Sequence, residues 1–129
     1  MVDFLSQDWL DAQRDATSGL TSAPEASALV QHVVTGTPAG NVAYYTQFDA
    51  GRIVDAAVGK PSADPDLTVT AAYADAVRMA GGELELSAAY MQGRVKVEGD
   101  MRRLFGLLPA THRADFKAAV SQVGEKTEF

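Results

Sequence analysis

The chain has 129 residues, a length that fits one domain over 1–129 with one hydrophobic core, yet 22 of its 60 apolar residues are alanine, leaving only 38 larger side chains to fill it. A formal charge of −6 argues against nucleic acid as a main partner, and no apolar run nears the ~20 residues of a bilayer span. The absence of cysteine excludes disulfides, thiolate metal sites and cysteine nucleophiles.

The N-terminus predicts a helix. Ser6 caps it, Asp8 suits its first turn, and Leu5 and Leu10 stand where the two halves of a hydrophobic staple belong. Trp9, Ala12 and Ala16 then share a face. The stretch from Thr17 to Ser27 reads as loop, because Gly19, Pro24 and several hydroxyls break any period. Strands follow at Ala28–Thr35, Val42–Phe48 and Arg52–Val58, the second with Val42, Tyr44, Thr46 and Phe48 on one side. Asp49-Ala50-Gly51 predicts a three-residue hairpin loop. Pro61 and Pro65 break the sheet before a short strand at Leu67–Thr70.

From Thr70 or Ala71 the period becomes helical, with Tyr73, Val77 and Ala80 on one face and Gly81-Gly82 as the stop. Ser87–Gln92 adds a short helix closed by Gly93, and Arg94–Glu98 a strand with Val95 and Val97 inward. Asp100 caps a helix in which Met101, Leu104, Phe105 and Leu108 form a stripe and which Pro109 is expected to stop. A last helix from about Thr111 presents Phe116, Val120 and Val123. Short hairpins imply antiparallel pairing, so the expected class is α+β: a five-stranded, mainly antiparallel sheet with helices on one face.

Catalytic patterns are scarce. The chain contains no phosphate-binding glycine loop, no HExxH and no GxSxG. His32 lies in a strand among valines and reads as a structural, hydrogen-bonded histidine, whereas His112 near a helix start reads as exposed. Two distant imidazoles and scattered carboxylates do not make a metal site, so none is expected, and no other cofactor is implied. The best enzymatic option is proton transfer by Tyr44, Tyr45, Asp49 and Asp55 around one hairpin, since a buried carboxylate with phenol donors enolises a carbonyl compound. The plainer reading has Tyr44 packing in the sheet and Asp49 shaping the turn.

The most informative stretch is Pro65-Asp66-Leu67-Thr68-Val69-Thr70, the helix to Ala80, Gly81-Gly82, and Ala88-Ala89-Tyr90-Met91-Gln92-Gly93-Arg94-Val95-Lys96-Val97-Glu98-Gly99-Asp100 before a leucine-rich helix. Over residues 65–108 this closely resembles the sterol carrier protein 2 (SCP-2) sterol-binding domain family, and the remainder fits it loosely. The same residues also have a purely structural reading, with Gly93 ending a helix and Gly99 permitting a turn.

The resemblance implies an apolar tunnel between a five-stranded sheet and its helices. It implies binding of sterol, fatty acid or fatty acyl-CoA there, without covalent chemistry. The ligand-binding candidates are then Met79, Tyr90, Met91, Met101, Leu104, Phe105, Leu108, Phe116 and Val120, with Gln92 as a polar contact. Each apolar one has plain core packing as its alternative. Between Arg94 and Lys117 six basic residues face three acidic ones. Arg94, Lys96, Arg102, Arg103 and Arg113 are therefore candidates to attract an anionic membrane surface or CoA phosphates. The C-terminal Thr127-Glu128-Phe129 does not resemble the family's peroxisomal tripeptide. Met1-Val2-Asp3 lacks the basic and apolar parts of a secretory signal, and with zero cysteines this sets the expectation of a stand-alone cytoplasmic protein. Two other readings stay open: a small isomerase or lyase of cone-shaped fold, and a protein-interaction module whose cavity has filled.

Overall fold

The structure, a computed structural model, describes residues 1–129. Helix α1 (Gln7–Thr17) starts where the capping signal places it: the Ser6 hydroxyl oxygen accepts from the Trp9 N–H at 3.2 Å. Trp9 and Leu10 are buried, with Leu5, Ala12 and Ala16 packed beside them. Five strands form the main sheet, β2 (Ala28–Thr37), β3 (Gly40–Asp49), β4 (Arg52–Val58), β5 (Leu67–Ala72) and β6 (Val95–Gly99). Their spatial order is β4-β3-β2-β5-β6, and every neighbouring pair is antiparallel except β2 with β5. The chain leaves the β4 edge through Gly59–Asp66 and crosses two strands before it re-enters the sheet. That crossover makes the central pair parallel, and hairpin signals alone do not reveal it.

Asp66 secures this re-entry. Its carboxylate accepts from the Leu29 N–H at 2.8 Å, its own N–H donates to the Leu29 carbonyl at 2.8 Å, and its carbonyl accepts from the Asp100 N–H at 2.9 Å. The aspartate that precedes the alternating strand is thus a register pin between β2, β5 and the end of β6.

Helices α2 (Tyr73–Ala80), α3 (Leu86–Met91), α4 (Met101–His112) and α5 (Ala114–Glu125) cover one face of the sheet together with α1. Three expectations need correction. Residues 70–72 stay in β5 instead of starting the helix, because Thr70, Ala71 and Ala72 pair with Val33, Val34 and Thr35. The β3–β4 loop has two residues, Ala50 and Gly51, both at positive φ, with Asp49 paired to Arg52. Pro109 lies inside α4 and does not stop it. Proline cannot bond the Phe105 carbonyl, but Phe105 and Pro109 share the exposed side of α4, where a missing intrahelical bond costs least. The break comes at Arg113, where extended backbone separates α4 from α5.

The sequence also shows no sign of β1 (Val2–Asp3), which pairs in parallel with β7 (Thr127–Glu128). Two residues are too few to display a period. The pairing brings Phe129 to 5.1 Å from Phe4, whose ring meets Trp9 edge-on at 4.9 Å, and so closes the molecule behind α1.

Candidate functional site

Along β2, β3 and β5 the pleat sends alternate residues toward the helices, and the ladder aligns them: His32 pairs with Tyr44 and Val69, Val30 with Thr46 and Leu67. Between this face and the five helices lies a partly open cavity of about 480 Å³. The sheet contributes Val30, Val34, Phe48, Leu67 and Val69 among others, α1 contributes Trp9 and Gln13, and α4 contributes Leu104, Leu107 and Thr111. Ala71, Ala76, Ala80 and Ala88 also stand on its wall. Side chains of one carbon leave the space that leucine or phenylalanine would occupy, which gives the alanine-rich composition a location and a consequence.

Five of the ten sequence-derived candidates line the cavity: Met79, Gln92, Leu104, Phe116 and Val120. Gln92 is at the rim, where its Oε1 accepts from the Arg94 Nε–H at 2.9 Å. Tyr90, Met101 and Leu108 are half-buried against the core outside the lining. Met91, 81% exposed, and Phe105, 57% exposed, face solvent. Helical phase explains both. At ~100° per residue, Met91 falls opposite the α3 face carrying Ala89 and Leu86, and Phe105 lies well off the Leu104–Leu107–Thr111 face of α4. The sequence-derived candidates all come from the helical part of the chain and omit the sheet face. The alternation of Tyr44, Thr46 and Phe48 is the signal that finds it.

Polar groups come from both the helical and the sheet side of the cavity. At the helical rim, Arg78, Glu83, Glu85 and Lys117 are among the lining residues. Glu85 accepts from His112 Nδ1 at 2.8 Å and lies 3.2 Å from Lys117 Nζ, and these partners, His112 first, hold its carboxyl below the usual range. On the sheet side, His32 Nε2 lies 2.9 Å from Thr46 Oγ1, and the His32 ring stacks on Tyr44 at 4.4 Å with planes 7° apart. Burial lowers the His32 imidazole to about 4 and raises the Tyr44 phenol above its ordinary value. Both groups are therefore neutral at pH 7, and the surface they retain opens onto the cavity they line.

Asp49 and Asp55 are exposed and line no part of the cavity. The basic residues singled out in the sequence lie outside it too. Arg94 pairs with Asp75 at 3.2 Å, Lys96 with Glu98 at 2.8 Å, and Arg103 donates to the Ser27 carbonyl at 2.8 Å. Arg102 and Arg113 instead line a second, more open surface depression together with Phe105 and Glu25. No group of three or more acidic or histidine side chains is arranged to hold a metal ion, and no helix is long and apolar enough to cross a membrane.

The model of the SCP-2 sterol transfer family matches residues 10–105, well over half of the chain. The chain belongs to the SCP-2 sterol transfer family. Solved structures agree in fold. A conserved hypothetical protein from Thermus thermophilus, described as possibly a sterol carrier protein, superposes with a TM-score of 0.75 at 17% identity, covering 95% of this chain and 91% of that one. Sterol carrier protein 2 gives 0.72 at 17% identity over 92% and 98%. SCP2-like 2 from Aedes aegypti gives 0.62 at 18% identity over 80% and 93%. No curated protein sequence matches the chain. SCP-2 family membership supports lipid or sterol binding and transfer as the general class of function. The α+β architecture expected from the sequence is that of these SCP-2 structures.

Proposed function

We propose that this SCP-2 family protein carries one lipid or sterol-like molecule in the cavity between the sheet and the helices, without covalent chemistry. The observation that carries this reading is the cavity itself: about 480 Å³, with a chiefly apolar lining. That size falls in the roughly 300–1,000 Å³ range of small-molecule sites. An NMR structure of the Aedes aegypti protein in palmitated form has the same fold, with a TM-score of 0.63. The lining candidates Met79, Leu104, Phe116 and Val120 then contact the ligand's apolar body, with Gln92 near its exit. Tyr90, Met101 and Leu108 support that wall from behind.

Burial of each methylene contributes ~0.8 kcal/mol, so affinity in a homologous series of straight-chain alcohols should rise about fourfold per added carbon and level off once the cavity is full. Displacement of a fluorescent fatty acid measures this. A series with no dependence on length contradicts the carrier reading.

Delivery of such a ligand needs contact with a membrane. The exposed Phe105 lines the same depression as Arg102, whose side chain is 92% exposed, and Arg113, and this pairing of an apolar ring with cations suits an anionic lipid surface or the phosphates of an acyl-CoA. Their ion pairs with Asp100 and Asp115, at 3.5 and 3.7 Å, are exposed and weak enough to exchange. Changing Arg102→Glu with Arg113→Glu should slow transfer to vesicles rich in phosphatidylserine at least about fivefold, with equilibrium displacement constants unchanged. Equal transfer rates for wild type and variant contradict this docking face.

A further inference from the structure

The sheet side of the cavity carries a pair of polar atoms that the protein itself leaves unused. His32 and Tyr44 stand opposite each other on β2 and β3, their rings stack at 4.4 Å, and both are half-buried residues of the cavity wall. Thr46 Oγ1 lies 2.9 Å from His32 Nε2. Thr46 is 3% exposed and its hydroxyl has no other partner, so it donates to Nε2 and the imidazole proton sits on Nδ1.

No group of the protein bonds that Nδ1–H or the Tyr44 hydroxyl. Neither is sealed in packing, because Trp9 Nε1 is the one side-chain polar atom both fully buried and without a partner. Burial around the two rings is nevertheless deep enough to lower the His32 imidazole to about 4 and to raise the Tyr44 phenol above its ordinary value. The surface that these atoms keep therefore opens on the cavity and not on bulk water. Interior donors ordinarily find an acceptor, and here the cavity's occupant is in position to supply it.

We propose that the His32–Tyr44 pair is the polar subsite of the cavity and takes a neutral ligand oxygen, that of a ketone, ester or hydroxyl, through the His32 Nδ1–H and the Tyr44 hydroxyl. The inference rests on the cavity being the lipid site. An ionised carboxylate does not suit this subsite. No lining residue of α1 or the main sheet is a lysine or an arginine, and the His32 imidazole, held at about 4, is neutral at pH 7. Nothing there offsets a carboxylate's loss of water. On the helical side, Lys117 has Glu85 at 3.2 Å and Arg78 has Asp75 at 3.9 Å, so a ligand carboxylate competes with one already in place. The selected class is thus a neutral, oxygen-bearing lipid.

Three probes of thirteen carbons test the subsite: methyl undecyl ketone, tridecane and tridecanoic acid. Tyr44→Phe keeps the ring stack and removes only a hydroxyl that the fold does not use. It should weaken ketone binding roughly three- to tenfold, leave tridecane within about twofold and leave the melting temperature level. The acid at neutral pH should bind wild type at least about tenfold more weakly than the ketone. The chain holds two histidines, so the ring nitrogens of His32 are readily assigned by NMR. The ketone should move the Nδ1 signal and tridecane should not, a readout that needs no variant. Equal losses of ketone and tridecane in Tyr44→Phe, unchanged ketone binding there, a lowered melting temperature, equal Nδ1 shifts with both probes, or an acid that binds as well as the ketone each overturn the subsite and leave the carrier standing. Failure of all three probes to bind overturns the carrier reading as well.

Discussion

Val120→Trp is expected to weaken lipid binding about a thousandfold while the melting temperature stays level or rises. Val120 stands on α5 at the cavity wall, one turn beyond Phe116, which also lines it. Tryptophan carries seven more non-hydrogen atoms than valine, and here they enter existing space instead of a packed core. Displacing even five ligand methylenes costs ~4 kcal/mol of binding free energy. The same atoms gain contacts with walls that otherwise lack them, so folding does not suffer. Competition against a fluorescent fatty acid, beside a thermal melt, reads both effects. Unchanged binding in a folded variant means that the ligand is elsewhere.

The second large effect falls on the fold. Gly99 has φ +119, and a Cβ there would run into the Asp66 carbonyl, the group that accepts from the Asp100 N–H. Gly99→Ala therefore combines a strained backbone with a clash against main chain, which cannot rotate away. A cost of about 3 kcal/mol follows, and a fall in melting temperature of roughly 10 °C. Gly93→Ala is the control. Gly93 also has positive φ, +71, but nothing lies within 4 Å of its Cβ position, so only the ~1–2 kcal/mol of the left-handed conformation is lost. Equal melting temperatures for the two variants would refute the role given to the Asp66 contact.

The contrast between these glycines shows what the sequence makes legible. Caps and turns act within a few residues, so Ser6, Asp100 and the β3–β4 hairpin mark their elements directly. Strand phase is legible as well, because Tyr44, Thr46 and Phe48 alternate over a single strand. What depends on partners far along the chain is not. The parallel β2–β5 pair needs the crossover after β4, and the continuation of β5 to Ala72 needs β2 beside it. Pro109 looks like a stop until Phe105 is known to face water. The helical side of the site suffers from the same limit. A stripe through Met101, Leu104, Phe105 and Leu108 has the right spacing, yet the cavity selects Leu104, Leu107 and Thr111, a face rotated by part of a turn. Leucine and phenylalanine on both flanks of α4 leave that rotation undetermined until the sheet is in place.

The alanine content acquires its meaning in the same way. A small side chain stabilises a close helix approach or leaves a void, and composition does not distinguish the two. Gly124 illustrates the first, since a Cβ there would lie only 2.9 Å from the Ala80 carbonyl oxygen. Ala71, Ala76 and Ala88 illustrate the second, since they line open space.

The most direct test of lipid carriage runs the straight-chain alcohol series on wild type and Val120→Trp side by side. Wild-type affinity should climb about fourfold per carbon to a plateau, and the variant should reach its plateau several carbons earlier and far weaker. A flat wild-type series, or the same plateau in both proteins, would contradict a ligand housed between the sheet and its helices.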